Sequence, residues 1–273
     1  MFRSLTTRLI VWILAVTGVV FIVTIGLSNR AGRSTAIEAA EREANNDTDA
    51  AVLAVEDVLD TAEASVAALA RSVSELQPSA SGTEQLVRRF STDTRATVAR
   101  YVVIRRGDGD TRTPAWLGDA TQRGTPIWTE PYKDPDVGSA AVVTRVVPLD
   151  QDRASAGVVA GSLRLDFLSR AIREVHLGAS GFALVLSRNG LLIAHSRRDL
   201  SDRVLDPVAA LPAELRAVVA QVVQRALAGE SGFVAVPLNN GRVFRLTFHP
   251  VEGTGWILAT AYAEDEQIGR AHV

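Results

Sequence analysis

The sequence predicts an α+β protein in which one long helix precedes two small antiparallel sheets. Two observations lead to this fold class. Apolar residues recur at alternating spacings of three and four over residues 52–76, and short runs rich in β-branched and aromatic residues then follow, separated by polar turns and helical segments. Strands joined by short turns pair antiparallel, and helices beside such strands make an α+β fold.

The composition fits two modest cores and excludes several kinds of site. The 273 residues are 47% hydrophobic and 22% charged, with a net charge of −2. Because the basic residues are scattered, nothing indicates a nucleic-acid partner. The chain has no cysteine, which excludes disulfides, thiolate metal sites and a thiol nucleophile.

Residues 9–27 are predicted to be an uncleaved membrane helix. They form an uncharged apolar run, close to the ~20 residues that cross a bilayer. Arg3 and Arg8 precede the run, so residues 1–8 should stay cytoplasmic and the remainder should lie outside the cell membrane. A cleaved signal peptide is the alternative, but this run is longer than the usual ~7–15-residue apolar region of such peptides.

Residues 28–77 are predicted to be a long stalk helix. Its apolar seam consists of Val52, Val55, Leu59, Ala62, Val66, Leu69, Val73 and Leu76. Such a heptad stripe packs on a partner helix, which would make a homodimer, or on the helix's own domain. Both alternatives remain open at this point.

Residues 78–176 are predicted to form the first sheet unit. A helix over residues 83–100 should precede strands at 101–106, 140–147 and 157–165, with a connecting helix at 166–177. Residues 116–139 are expected to be an irregular segment rich in aromatic residues, typical of a small-molecule pocket.

Residues 177–266 are predicted to form the second sheet unit. A hairpin pairs residues 182–187 with 191–195 around the Asn189–Gly190 turn, and a helix follows at 207–228. Three further strands are expected at 233–237, 243–249 and 256–262. This order of elements is that of a small PAS-like sheet.

Five motifs resemble those of the double Cache (dCache) sensor domain of bacterial transmembrane receptors. They are WTEPYKD at 128–134, VVPL at 146–149, GVVAGSLRLD at 157–166, SGFALVLSRNGLLIAH at 180–195 and GTGWIL at 253–258. The resemblance covers residues 30–266 and implies a ligand site in the first, membrane-distal unit. We expect no cofactor, no metal and no catalysis in the sensor.

The resemblance also implies ligand-binding residues. Trp116 matches the aromatic wall of the family's amino-acid pocket, Tyr132 and Asp134 match its tyrosine and aspartate, and Asp166 matches a later aspartate that meets the ligand's ammonium group. Pro114 stands where the family has a carboxylate-binding arginine, and Leu117 replaces an aromatic residue. Arg112 is the nearby arginine that could supply the clamp by shifting.

These departures lead to a hypothesis about the ligand. Acidic and aromatic side chains without the arginine move the preference from zwitterionic amino acids towards a small amine or quaternary ammonium. We therefore expect a ligand of the amine or amino-acid class. In the alternative interpretation, Asp134 and Asp166 are turn and helix-cap residues.

Two other function classes remain. A ligand-free dimerisation or mechanical module would need no pocket, and an extracytoplasmic hydrolase would need a catalytic constellation. The sequence has no nucleophile elbow, no glycine-rich phosphate loop and no histidine spacing typical of a metal site. We therefore expect a membrane receptor's sensor region that is not itself an enzyme.

The C-terminal residues suggest a truncated receptor. Residues 262–267 are typical of the last strand leading into a second membrane helix, yet none follows in the sequence. We expect residues 267–273 to be a non-native tail. A second membrane span, a linker module and a cytoplasmic kinase, phosphatase, cyclase or chemotaxis output would then be missing.

Overall fold

The computed structural model describes residues 42, 44–93, 98–105, 116–149, 157–175, 177, 181–197, 204–205, 213–237 and 243–263. Helix α1 covers residues 44–76. The membrane helix expected at 9–27 and the tail expected at 267–273 lie outside these ranges. Within them, no helix has both the length and the apolar character needed to cross a membrane.

The first sheet has five antiparallel strands, with helices beside it. The strands are β1 (Val98–Arg105), β2 (Ile127–Trp128), β3 (Tyr132–Asp134), β4 (Ala140–Pro148) and β5 (Gly157–Arg164). Their order is β1-β5-β4-β2, and β3 also pairs with β4. The accompanying helices are α2 (Ala80–Asp93), α3 (Trp116–Arg123) and α4 (Leu165–Glu174), with a short 3-10 helix at Pro135–Val137.

The second sheet also has five antiparallel strands. They are β6 (Phe182–Leu186), β7 (Leu192–His195), β8 (Gly232–Pro237), β9 (Val243–Val251) and β10 (Trp256–Ala263), with α5 (Ala213–Leu227) before β8. Their order is β7-β6-β10-β9-β8. In both sheets the first long strand lies beside the last, so β1-β5-β4 and β6-β10-β9 have the same arrangement.

The seam of α1 is buried against the chain's own sheets. From Val55 to Val73 its residues are at most 3% exposed, and they share one core with residues of both sheets. The close fit is visible at Gly161 of β5, where an added Cβ would overlap Cγ2 of Val66. At the two ends of the seam, Val52 is partly buried and Leu76 is 66% exposed. The seam therefore braces this domain and is not left open for a partner helix.

Two predictions for the first unit are wrong in detail. The helix expected through Arg100 ends at Asp93, and residues 98–100 belong to β1. The segment after Trp116 was expected to be irregular, but its first eight residues form α3. Trp116 and Leu117 pack on three apolar residues of the first sheet, Val146, Val158 and Ala160. This contact stabilises α3 despite the low helix propensity of Gly118.

Candidate functional site

The candidate site lies on the face of the first sheet that α3 covers, here called the α3 face. Side chains alternate between the two faces of a strand, so Tyr132 and Asp134 of β3 point to the same side. Strand pairing adds Thr144 of β4, Ser162 of β5 and Arg100 of β1 to this face, since Thr144 pairs with Ser162 and Ser162 pairs with Arg100.

Three hydroxyl groups form a chain across the α3 face. The indole N–H of Trp116 donates to the Tyr132 hydroxyl at 3.2 Å, and that hydroxyl lies 2.8 Å from Oγ1 of Thr144. Thr144 Oγ1 is in turn 3.0 Å from Ser162 Oγ. Each hydroxyl has one hydrogen, so the two links leave one hydroxyl hydrogen over, on Tyr132, Thr144 or Ser162 according to which atoms donate.

Asp134 is a buried carboxylate that is only partly satisfied. Its side chain caps the 3-10 helix, because Oδ1 accepts a hydrogen bond from the backbone N–H of Asp136 at 3.0 Å. Oδ2 is buried and has no hydrogen-bond donor among the described residues. A buried carboxylate oxygen without a donor is costly, so this atom has the capacity to accept a further hydrogen bond.

Arg100 is the charged residue that sequence reasoning missed. Its guanidinium makes an ion pair with Asp136 at 2.7 Å and lies 3.6 Å from Oδ2 of Asp134. The sequence pattern assigned Arg100 to a helix. Only the register of β1 against β5 shows that Arg100 lies on the α3 face. Thr144 and Ser162 lie in correctly predicted strands, and they were missed because only the strand register shows that they share a face.

The other two predicted ligand-binding residues are not brought into this arrangement by any described contact. Asp166 pairs with Arg164, whose Nε and Nη2 donate to its two carboxylate oxygens at 3.0 and 2.8 Å. It is also not the cap of α4, because the helix begins one residue earlier and Arg164 occupies the cap position. Arg112 lies outside the described residues.

A second polar group connects the first sheet with α1. The indole N–H of Trp128 donates to Oε1 of Glu63 at 2.6 Å, and Arg145 of β4 pairs with Oε2 of Glu63 at 3.1 Å. The Arg145 guanidinium also lies over the Trp128 ring, 5.7 Å from its centroid. Burial lowers the pKa of Arg145 from its ordinary value, and the negative charge of Glu63 partly opposes that change.

Trp128 of β2 and the nearby Glu130 also contact the second sheet. The Trp128 ring lies 5.8 Å from the ring of Trp256 on β10. Glu130, two residues after Trp128, pairs at 3.1 Å with Arg188 in the turn between β6 and β7. Arg188 also donates to the carbonyl oxygen of Thr254 at 3.0 Å. We call Glu63, Trp128, Glu130, Arg145 and Arg188 the junction cluster.

The junction cluster and the α3 face share a short piece of chain. Thr129 bonds Thr144 twice: its backbone N–H donates to the Thr144 carbonyl, and its hydroxyl accepts from the Thr144 N–H, both at 3.0 Å. Only Pro131 separates Glu130 from Tyr132. A displacement of Tyr132 would therefore also displace nearby residues of the chain that contact α1 and the second sheet.

No group of three or more metal-ligating side chains occurs in the described part of the chain. The polar atoms of the α3 face are instead suited to binding, since they offer an acceptor, a guanidinium and a spare hydroxyl hydrogen.

Two antiparallel sheets, each with its first long strand beside its last, pack on one long helix and define a tandem sensor-type fold. The family model described as Cache domain, of the double Cache type, matches residues 28–271. The chain belongs to the double Cache family, which confirms the resemblance noted in the sequence.

Known relatives show how the fold is used elsewhere. Methyl-accepting chemotaxis protein PctB of Pseudomonas aeruginosa is 33% identical over 92 residues, which are 34% of this chain and 14% of PctB. The chain spans between 14% and 21% of the length of the curated relatives it matches.

Two solved structures share the fold. The ligand-binding domain of PctB in complex with L-Arg has a TM-score of 0.61 and 21% identity, covering 84% of this chain and 97% of that one. The sensory domain of the Campylobacter jejuni chemoreceptor Tlp3, with isoleucine bound, has a TM-score of 0.65 and 13% identity, covering 86% and 97%. Such identities establish a common fold and do not transfer a ligand.

Proposed function

We propose that this chain is the extracytoplasmic sensing region of a bacterial membrane receptor, and that it binds a small ligand through a protonated amino group at the α3 face. The observation that carries the ligand proposal is Asp134, whose buried Oδ2 has no hydrogen-bond donor among the described residues. An ammonium group would give that oxygen a charge-assisted hydrogen bond.

The surroundings of Asp134 support a cationic group. Trp116 and Tyr132 are hydrogen-bonded to each other, so both side chains are held in place on the face that Asp134 also occupies. Aromatic faces attract cations, and fixed side chains lose little conformational freedom when a ligand binds. The amino acids bound to the PctB and Tlp3 domains are ligands of this chemistry.

A thermal-shift screen of the full chain in detergent tests the proposal. The panel contains the proteinogenic L-amino acids, their decarboxylated amines, quaternary ammonium compounds, sugars and dicarboxylic acids. At a free concentration of about 100 Kd, a true ligand stabilises the folded state by about 2.7 kcal/mol. For a domain of this size we expect a rise in Tm of roughly 5–10 °C.

The pattern of responses decides between the function classes. Stabilisation by compounds that carry an ammonium group, with none by sugars or dicarboxylic acids, is the expected result. A panel without any response would favour the ligand-free dimerisation or mechanical module. Turnover of a bound compound would favour the hydrolase.

We further propose how ligand binding at the α3 face is transmitted to α1. Residues 78–176 would be the ligand-binding unit and residues 177–266 the membrane-proximal unit, with the junction cluster between them and α1. A ligand that binds Tyr132 and Asp134 would shift β3, and the contact of Trp128 with Glu63 would pass that shift to α1. A dimer contact through α1 would use the face opposite the seam, where Leu53 is exposed.

Substitution of Glu63 by Ala is expected to uncouple α1 from the ligand. The change removes the acceptor of the Trp128 indole and the partner of Arg145, while leaving the α3 face intact. Because the chain has no cysteine, Leu53→Cys provides one site for a fluorescent label on α1. The most stabilising compound of the panel should change the fluorescence of the label in the parent protein and not in the Glu63→Ala variant, with Kd changed by less than about threefold.

Glu75→Ala is the matched control, because Glu75 is an exposed glutamate on the same helix. It should keep the full fluorescence response. A Glu63→Ala protein that responds like the control would rule out this route.

A further inference from the structure

We infer that Arg100 determines which amines the site accepts, by favouring zwitterions over plain amines and quaternary ammonium compounds. The inference rests on the proposed function, since it takes the ammonium group to bind Asp134. It names a specificity residue on β1, away from the positions at which the sequence led us to expect one.

The position of Arg100 follows from the sheet. Its register partner on β5 is Ser162, one end of the hydroxyl chain, and its guanidinium reaches Asp134 and Asp136 at the other side of the face. The Arg100 side chain is 37% exposed, so it can take an additional partner. The guanidinium therefore lies across the part of the α3 face where Asp134 presents its free oxygen.

The charge of Arg100 creates the selectivity. An ammonium group bound to Oδ2 of Asp134 would stand beside a guanidinium that is 3.6 Å from the same oxygen. Arginine keeps its charge at any ordinary pH, so a plain amine meets a like charge that it cannot neutralise. A carboxylate next to the ammonium group offsets that repulsion.

Arg100 also has hydrogen-bond donors to offer. A guanidinium carries five N–H donors. The ion pairs found for Arg100 in the described ranges use its two terminal nitrogens and do not involve its Nε–H. A ligand carboxylate could bind these donors, together with the spare hydroxyl hydrogen when it lies on Ser162. The α3 face then offers an acceptor for the ammonium group beside donors for a carboxylate.

This assignment changes the ligand hypothesis drawn from the sequence. Pro114 stands where the family has an arginine. Its presence favoured plain amines over amino acids only if no other arginine lay near the acid. Arg100 approaches the same acid from a different strand, so the loss at Pro114 does not leave the site without a cation. We therefore expect amino acids to bind in preference to their decarboxylated amines.

Paired ligands and paired variants test the inference by isothermal titration of the full chain. The probes are L-leucine with 3-methylbutylamine and L-lysine with 1,5-diaminopentane, because the members of each pair differ only in the carboxylate. The variants are Arg100→Gln, Arg100→Lys and Arg225→Gln. Arg225 is the matched control, because its side chain is similarly exposed, it pairs with Glu230, and it lies on α5 beside the second sheet.

In the parent protein we expect the amino acid of at least one pair to bind about 10-fold or more tightly than its amine. Arg100→Gln should weaken the amino acid by about 10-fold or more and leave the amine unchanged or tighter, so that the preference disappears. Arg100→Lys should retain part of the preference, because lysine keeps the positive charge but lacks the planar guanidinium that can bind both oxygens of a carboxylate. Arg225→Gln should keep the parent ratio.

An unchanged ratio in folded Arg100→Gln, or a parent protein that prefers the amines, would overturn the role of Arg100 and leave the proposed function standing. Failure of every ammonium-bearing compound to bind would instead defeat the proposed function, and this inference with it. Circular dichroism of each variant establishes that it is folded.

Discussion

Replacing Trp256 by Ala is expected to lower the free energy of unfolding by about 3–5 kcal/mol. Trp256 is fully buried on β10, and it belongs to the core that α1 shares with both sheets. Its ring also packs against Trp128, and aromatic pairs of this kind contribute about 0.5–1.5 kcal/mol beyond the buried area. The substitution leaves a cavity that β-strands on both sides cannot easily close.

Chemical denaturation followed by circular dichroism measures this loss. Leu76→Ala is the control, because Leu76 is a large apolar residue of the same α1 seam that stays exposed. It should change the free energy of unfolding by no more than about 0.5 kcal/mol. Equal losses in the two variants would show that Trp256 is not part of a packed core between the sheets.

Asp134→Asn is expected to weaken binding of the ammonium-bearing ligand by about 10-fold to 150-fold. The amide has nearly the same shape as the carboxylate, and its oxygen can still accept the hydrogen bond from Asp136 that caps the 3-10 helix. The change therefore removes the negative charge and leaves the local backbone bond in place.

Asp136→Asn is the control for this prediction. Asp136 also pairs with Arg100, but its side chain is half-exposed and caps nothing in the described structure. Its loss should weaken binding by less than about fivefold, in line with the small contribution of exposed ion pairs. A folded Asp134→Asn protein with the parent's Kd, measured by isothermal titration, would remove Asp134 from the ligand site.

Sequence patterns located the second unit well because its signals are local. The hairpin turn at Asn189–Gly190 and the alternation in the later strands place β6, β7, β9 and β10 within two residues of their observed ends. Such turns depend on backbone conformations that few residues adopt, so the residue types alone mark them.

The first unit was harder because its structure depends on tertiary contacts. Residues 98–100 have an amphipathic pattern that suits a helix, yet they pair with β5. The eight residues of α3 are too few to be stable alone and are held by the apolar contact with the sheet. Strand register then decides which polar side chains meet, and no spacing in the sequence reveals that Arg100 faces Asp134.

The heptad seam shows a related limit. The heptad period correctly predicted a helix and the face of it that is buried, since the seam residues from Val55 to Val73 are all in the core. A period cannot say what the seam packs against, because a partner helix and the chain's own sheets need the same apolar stripe. Only the fold shows that both sheets already occupy it.

The position of a bound ligand relative to Asp134 tests the central claim most directly. We expect a crystal structure of the chain, grown with the most stabilising compound of the panel, to place the ligand's ammonium nitrogen within hydrogen-bond distance of Asp134 Oδ2, beside Trp116 and Tyr132. Ligand density on the second sheet or at the surface, with Asp134 still paired only to Arg100 and its own cap, would contradict the account.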